Sequence, residues 1–125
     1  MAIKMMKFSL VYFFIGVLMG MGMSMADNHL LTPVHVHINL LGWVSLAIGG
    51  LMYHTFKDAE KSKWGKVHYW THMIGIPLMM GGITLALLLP VEKLGLILAL
   101  IPLGGVLIVV GTFCFLINGL RNFHG

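Results

Sequence analysis

Four apolar stretches, each separated from the next by a short polar break, set the pattern of the chain. They cover about residues 8–26, 34–53, 67–89 and 94–119. Each is close to the ~20 residues that cross a bilayer as a helix. Backbone groups in hydrocarbon must be satisfied within the segment, so helix is the reading for each span. The breaks fall at 27–33, 55–66 and 90–93. The pattern predicts an all-α, integral membrane four-helix bundle that forms a single domain, with no internal repeat.

Within this pattern Thr32-Pro33 reads as a helix start, with Thr as cap and Pro at the first helical position. Pro77 and Pro102 fall inside spans three and four and predict kinks there, which bundle neighbours tolerate. In span one, Gly16, Gly20 and Ser24 recur every fourth residue, a stripe that suits close helix packing in lipid.

Composition sharpens this picture. Hydrophobic residues make up 58% of the 125 positions before 16 glycines are added, and charged residues only 10%. A soluble domain of this size cannot hide so much apolar surface. Disorder, a disulfide scaffold and nucleic-acid binding are excluded on the same grounds. The single cysteine, Cys114, lies in an apolar run and reads as packing.

The net charge of +4 reads as topology. Lys4, Lys7, Lys57, Lys61, Lys63, Lys66 and Arg121 fall on one side of a four-span arrangement, and only Lys93 on the other. The positive-inside rule then puts both termini in the cytoplasm. A rival reading exists for the first span: Lys4 and Lys7 form a basic n-region, and Ser24-Met25-Ala26 resembles a cleavage site. Cleavage there leaves three spans.

Ionisable groups inside a bilayer are costly and tend to be functional. Here they are histidines. His35 and His37 begin span two, and His68 and His72 begin span three. His29, His54 and His124 read as interfacial or solvated. Projected at 100° per residue, span two carries a small, polar stripe of His35, Asn39, Gly42, Leu46, Gly49 and Tyr53, suited to a helix contact. His37 lies on the opposite, bulky face, so it either reaches interfacial water or is covered by a cofactor or another subunit. The spacing of His35 and His37 suits two separate partners better than one chelated metal.

His68 and His72 have the i, i+4 spacing that can chelate a metal. They share a stripe with Gly75, Met79, Gly82 and Ala86 that equally suits packing. Trp64, Tyr69 and Trp70 read as an interfacial aromatic belt. Depth separates the two histidine pairs. At ~1.5 Å rise per residue, His37 and His72 are roughly 15 Å apart across the bilayer, so no single iron joins them within one chain. Met19, Met21, Met23 and Met25 crowd the outer end of span one. With His29 or His35 they are candidates for a Cu(I) site, with Met23 and Met25 as ligands. Methionine is also a common packing residue.

The stretch Val34-His35-Val36-His37-Ile38-Asn39-Leu40-Leu41-Gly42-Trp43 resembles the histidine-bearing helix of haem–copper oxidase subunit I and its nitric oxide reductase relatives. Gly65-Lys66-Val67-His68-Tyr69-Trp70, followed by Ile74-Gly75, resembles the start of the next helix. The resemblance spans roughly residues 32–82 and is closest to short four-span members. It implies that His35 ligates a high-spin haem iron and His37 a low-spin one, with noncovalent haem b as the cofactor. It assigns His68 and His72 no clear role.

The full family subunit has about twelve spans with approximate threefold symmetry, and this chain lacks the helices carrying the remaining ligands. A monomer is therefore not a complete oxygen reductase. A homotrimer imitating the large subunit is the corresponding expectation. The implied function is electron transfer or oxygen- or nitric oxide-linked redox chemistry in the cell membrane, with a quinol or a membrane redox partner. The alternatives are a cofactor-free accessory or assembly protein, and copper handling.

Overall fold

In the computed structural model the described residues are 1–123, and among them every regular element is helical. The long helices are α1 (Ala2–Ala26), α2 (Thr32–Thr55), α4 (Lys63–Leu88) and α5 (Ile97–Asn122). All four are long and apolar enough to cross a membrane. The short helix α3 (Lys57–Lys61) lies in the polar loop between α2 and α4. The protein is a multi-pass membrane protein. Its helices overrun several of the expected span limits, because hydropathy marks the hydrocarbon core while helix continues into the interface.

The chain packs as two antiparallel hairpins, α1 with α2 and α4 with α5, joined where α2 meets α4. Large apolar side chains point away from these contacts. Phe8, Leu10, Phe14, Val106, Val109 and Phe113 are all exposed, as suits a lipid-facing surface. Lipid supplies no hydrophobic drive between helices, so the hairpins close through small residues and shape. Both glycine stripes do this. Asn39 lies where a Cβ on Gly16 would sit, 2.7 Å from its Oδ1, and His35 lies over Gly20. In the second hairpin a Cβ on Gly104 would stand 2.6 Å from the Met79 amide nitrogen and 2.7 Å from the Gly75 carbonyl oxygen. Cys114 is buried, as its sequence context predicts.

Three local readings change, and the two mid-helix prolines keep their place. Thr32 does not cap α2 through its side chain; its hydroxyl donates to the His29 carbonyl oxygen at 2.7 Å, and Leu31 holds the cap position. Residues Ile38–Ser45 of α2 form a π-helix, which no periodicity argument predicted. The wide turn is supported from the side chains: Asn39 Nδ2 donates to the His35 carbonyl at 2.8 Å and Ser45 Oγ to the Leu40 carbonyl at 2.8 Å. Helices α4 and α5 run unbroken through Pro77 and Pro102. Of the aromatic belt, Trp70 is exposed but Tyr69 is buried, with its ring edge-on to Trp70.

The lysine-rich loop, the start of α1 and the end of α5 share one end of the bundle. The Met1 ammonium and the Ala2 amide both donate to Glu60 Oε1 at 2.8 Å. The Arg121 guanidinium lies 5.9 Å from the Trp64 ring centroid. The ammonium hydrogen bond, then the Ala2 amide, hold the Glu60 carboxyl down at about 2 from 4.5. A depressed folded pKa stabilises the fold above the ordinary carboxylate value, and that contribution fades as pH falls from there toward the folded value. Glu60→Gln should therefore lower the melting temperature by a constant amount from neutral pH down to about 4.5. The gap from the parent should close between there and about 2. Thermal melts across that range check this.

Candidate functional site

The structure keeps the two histidine pairs apart, as the depth argument requires. His35 and His37 sit in the first turns of α2, while His68 meets the other end of that helix at Gly49 and Tyr53 and His72 stacks on His68.

Hydrogen bonding assigns the protons of the first pair. His37 Nδ1 lies 2.7 Å from the Pro33 carbonyl oxygen. A carbonyl only accepts, so Nδ1 carries the proton and Nε2 keeps its lone pair. A ring anchored through Nδ1–H to a backbone carbonyl, with Nε2 free, is the arrangement of a metal-ligating histidine. His37 is half-buried, with exposed Val36 and Leu40 nearby in sequence.

His35 differs. The Asn39 amide nitrogen approaches its Nδ1 at 3.4 Å. An amide nitrogen only donates, which places the His35 proton on Nε2. The ring is packed on Gly20. In this arrangement His35 is part of the α1–α2 contact. A ligand role would require its ring or α1 to move.

The side chains of the methionine-rich end lie in different surroundings. Met25 is 81% exposed. The Met23 sulfur lies 4.0 Å from the Thr32 hydroxyl oxygen and, with Met19, lines an apolar cavity whose lining includes no histidine. His29 is exposed and faces Asp27 at 3.9 Å. His54 is exposed too. His124 lies outside the described residues.

The second pair joins a buried polar network that the sequence did not disclose. Asn118 is completely buried. Its Oδ1 accepts from Ser62 Oγ at 2.8 Å and Asn122 Nδ2 at 2.7 Å. Its Nδ2 donates to the Ala59 carbonyl at 3.0 Å and reaches Tyr53 Oη at 3.5 Å. Tyr53 Oη in turn lies 2.7 Å from His68 Nδ1. Among the described residues this nitrogen is the only acceptor within reach of the buried hydroxyl, so Tyr53 donates to it and His68 carries its own proton on Nε2. His72 stacks edge-on against His68, ring centroids 4.4 Å apart. It is 3% exposed, and its Nδ1 has no partner among the described residues. The one legible signal is Tyr53 on the small, polar stripe of span two; Asn118 lies one turn from the end of the most apolar span and carries no motif.

Removing Asn118 should loosen this network at its centre. Asn118→Ala removes the hydrogen bonds to the Ala59 carbonyl, Ser62 and Asn122, while the Ser62 hydroxyl keeps the Ala59 carbonyl as an acceptor at 2.9 Å, so the cost is about 0.5–1.5 kcal/mol for each bond lost. A melting temperature lower by roughly 5–15 °C is the expected result, read by thermal denaturation in detergent.

No group of three or more His, Cys, Asp or Glu side chains able to hold a metal ion occurs among the described residues. Comparison with protein-family models, characterised proteins and solved structures finds no match.

Proposed function

We propose that this chain is a b-type haem-binding protein of the cell membrane, with both termini in the cytoplasm and with electron transfer or oxygen- or nitric oxide-linked redox chemistry as its role. One observation carries the reading: His37 is anchored by Nδ1–H to the Pro33 carbonyl, which leaves Nε2 as the ring nitrogen without a protein partner among the described residues, in the first turns of a membrane-spanning helix. The resemblance of the motif around His37 to the histidine-bearing helix of the oxidase superfamily supports it independently.

The residues present fit one half of a haem site. His37 supplies an axial nitrogen, and Val36 and Leu40 offer apolar surface for a porphyrin edge. Bound there, haem would supply a one-electron couple tuned by its axial ligands and burial. Haem attachment is noncovalent, because the only cysteine is Cys114, buried in α5. The three best-formed cavities among the described residues do not border His37. The second face of the haem and the second ligand therefore come from another copy of the chain, and a homotrimer is the assembly we favour. The same separation favours one alternative, an accessory protein that binds no cofactor.

Absorption spectra of the detergent-purified protein, oxidised and reduced, with extracted haem quantified per chain, test the reading. Sharp reduced bands with stoichiometric haem b support it. A protein that stays colourless after haem is added rejects it in favour of the accessory role. Mass measurement in native-like lipid tests the trimer, and a monomer or dimer rejects it.

A further inference from the structure

An apolar groove of about 560 Å³ runs along one face of α5 and the residue after it, lined by Thr112, Phe115, Leu116, Gly119, Leu120 and Phe123. These positions recur every three or four residues, so they form one strip of the helix. The strip covers eleven residues of helical rise, roughly 16 Å. That is about half of a ~30 Å hydrocarbon core, the depth of one leaflet. At its deep end the Thr112 hydroxyl donates to the Ile108 carbonyl at 2.9 Å, so it turns no unsatisfied donor into the groove. At its shallow end Phe123 stacks on Phe56, ring centroids 4.8 Å apart, and meets Phe115 edge-on at 5.8 Å. Gly119 has no side chain to displace the Phe123 ring, from which a Cβ would stand 2.9 Å.

The shallow end of the groove opens at the lysine-rich end of the protein. Phe56 leads directly into α3, and Lys57, Lys61, Lys63 and Lys66 are all exposed there. Seven of the eight Lys and Arg residues lie at this end, against two carboxylates, Asp58 and Glu60. Glu60 is already engaged by the Met1 ammonium at 2.8 Å. The surplus of cations therefore faces the headgroup layer just above a greasy strip one leaflet long. Each lysine near the membrane surface strengthens the attraction for an anionic headgroup roughly fivefold.

We propose that this groove seats one diacyl phospholipid with an anionic headgroup, drawn from the leaflet at the lysine-rich end. One acyl chain lies along α5 from Phe123 to Thr112, with its tail toward the bilayer centre. The phosphate lies at the level of α3, among the loop lysines. The interlocked rings of Phe56, Phe115 and Phe123 give the chain a fixed surface, which lowers the entropy lost on seating it. Phe56 belongs to the turn after α2 and the rest of the strip to α5, so a seated lipid spans the two hairpins. Charge also decides against a second copy of the chain as the occupant. A copy in the same membrane orientation brings its own lysines to this end, like against like. The inference is independent of the haem reading.

The test is native mass spectrometry of the full chain, titrated in detergent with phosphatidylglycerol or with phosphatidylcholine of identical acyl chains. One phosphatidylglycerol retained per chain, at about tenfold preference over phosphatidylcholine, is expected. Leu116→Trp, an exposed position in the middle of the groove, should weaken retention of phosphatidylglycerol about tenfold. Lys57→Gln combined with Lys61→Gln should cut the preference about fivefold or more. Val110→Trp, exposed at similar depth but outside the groove lining, should leave retention unchanged. Equal retention of the two lipids by the parent protein overturns the proposal, as does full retention in Leu116→Trp or an undiminished preference in the double lysine variant. A dimer that excludes lipid and is dissociated by Leu116→Trp overturns it too, and gives the groove to a second copy.

Discussion

Substituting alanine for His37 should abolish the reduced haem spectrum and leave the purified protein colourless. On the proposed haem reading the effect is all-or-none, because His37 would supply the iron's bond from this chain and the other imidazole in the first turns of α2, His35, is packed on Gly20. The protein itself should stay folded. His37 is only half-buried, and its one hydrogen bond runs to a carbonyl of its own helix, so truncation strands nothing in the core. His72→Ala should keep the spectrum, since His72 lies roughly 15 Å further through the bilayer on the rise of the helices. Loss of the bands in His72→Ala with retention in His37→Ala would reverse the assignment. Spectra and circular dichroism of both variants, prepared in parallel, decide it.

The second large effect concerns the α4–α5 hairpin. Gly104→Leu should prevent its closure. Even one added carbon at Gly104 would meet the Met79 backbone nitrogen at 2.6 Å and the Gly75 carbonyl at 2.7 Å. Backbone cannot yield as a flexible side chain does, so the helices must separate along their length. Overpacking of this kind costs about 1–3 kcal/mol and occasionally more. At Gly104 the upper end applies, because contacts between α4 and α5 are the main support of both helices. The same substitution at Gly81, where a Cβ meets nothing within 4 Å, should leave the melting temperature nearly unchanged. Gly111→Leu should behave like Gly104→Leu, since a Cβ there collides with Thr71 Oγ1 and His72 Nδ1. Size-exclusion profiles and thermal melts of the three variants separate hairpin failure from a general intolerance of bulk.

The sequence by itself determined the class of the molecule. Twenty-residue apolar runs have one structural solution in a bilayer, and the spacing of Gly16, Gly20, Asn39, Gly42 and Gly49 told which faces meet, because lipid rewards only close approach between small residues. The separation of the histidine pairs was legible too, since helix rise converts residue number into depth. Tertiary structure decided the rest. The π-helical turn after His37 depends on side chains of Asn39 and Ser45 reaching carbonyls of their own helix, which leaves no mark in a hydrophobic pattern. Which ring nitrogen of each histidine holds the proton depends on the acceptor or donor facing it: Pro33 for His37, Asn39 for His35, Tyr53 for His68. Asn118 reads in sequence as a lone polar residue in the most apolar span. Only the crossing of α5 over the loop after α2 turns it into the centre of a buried network, because three of its four partners, Tyr53, Ala59 and Ser62, are distant in the chain and are brought to it by the fold alone, while Asn122 lies one turn along its own helix.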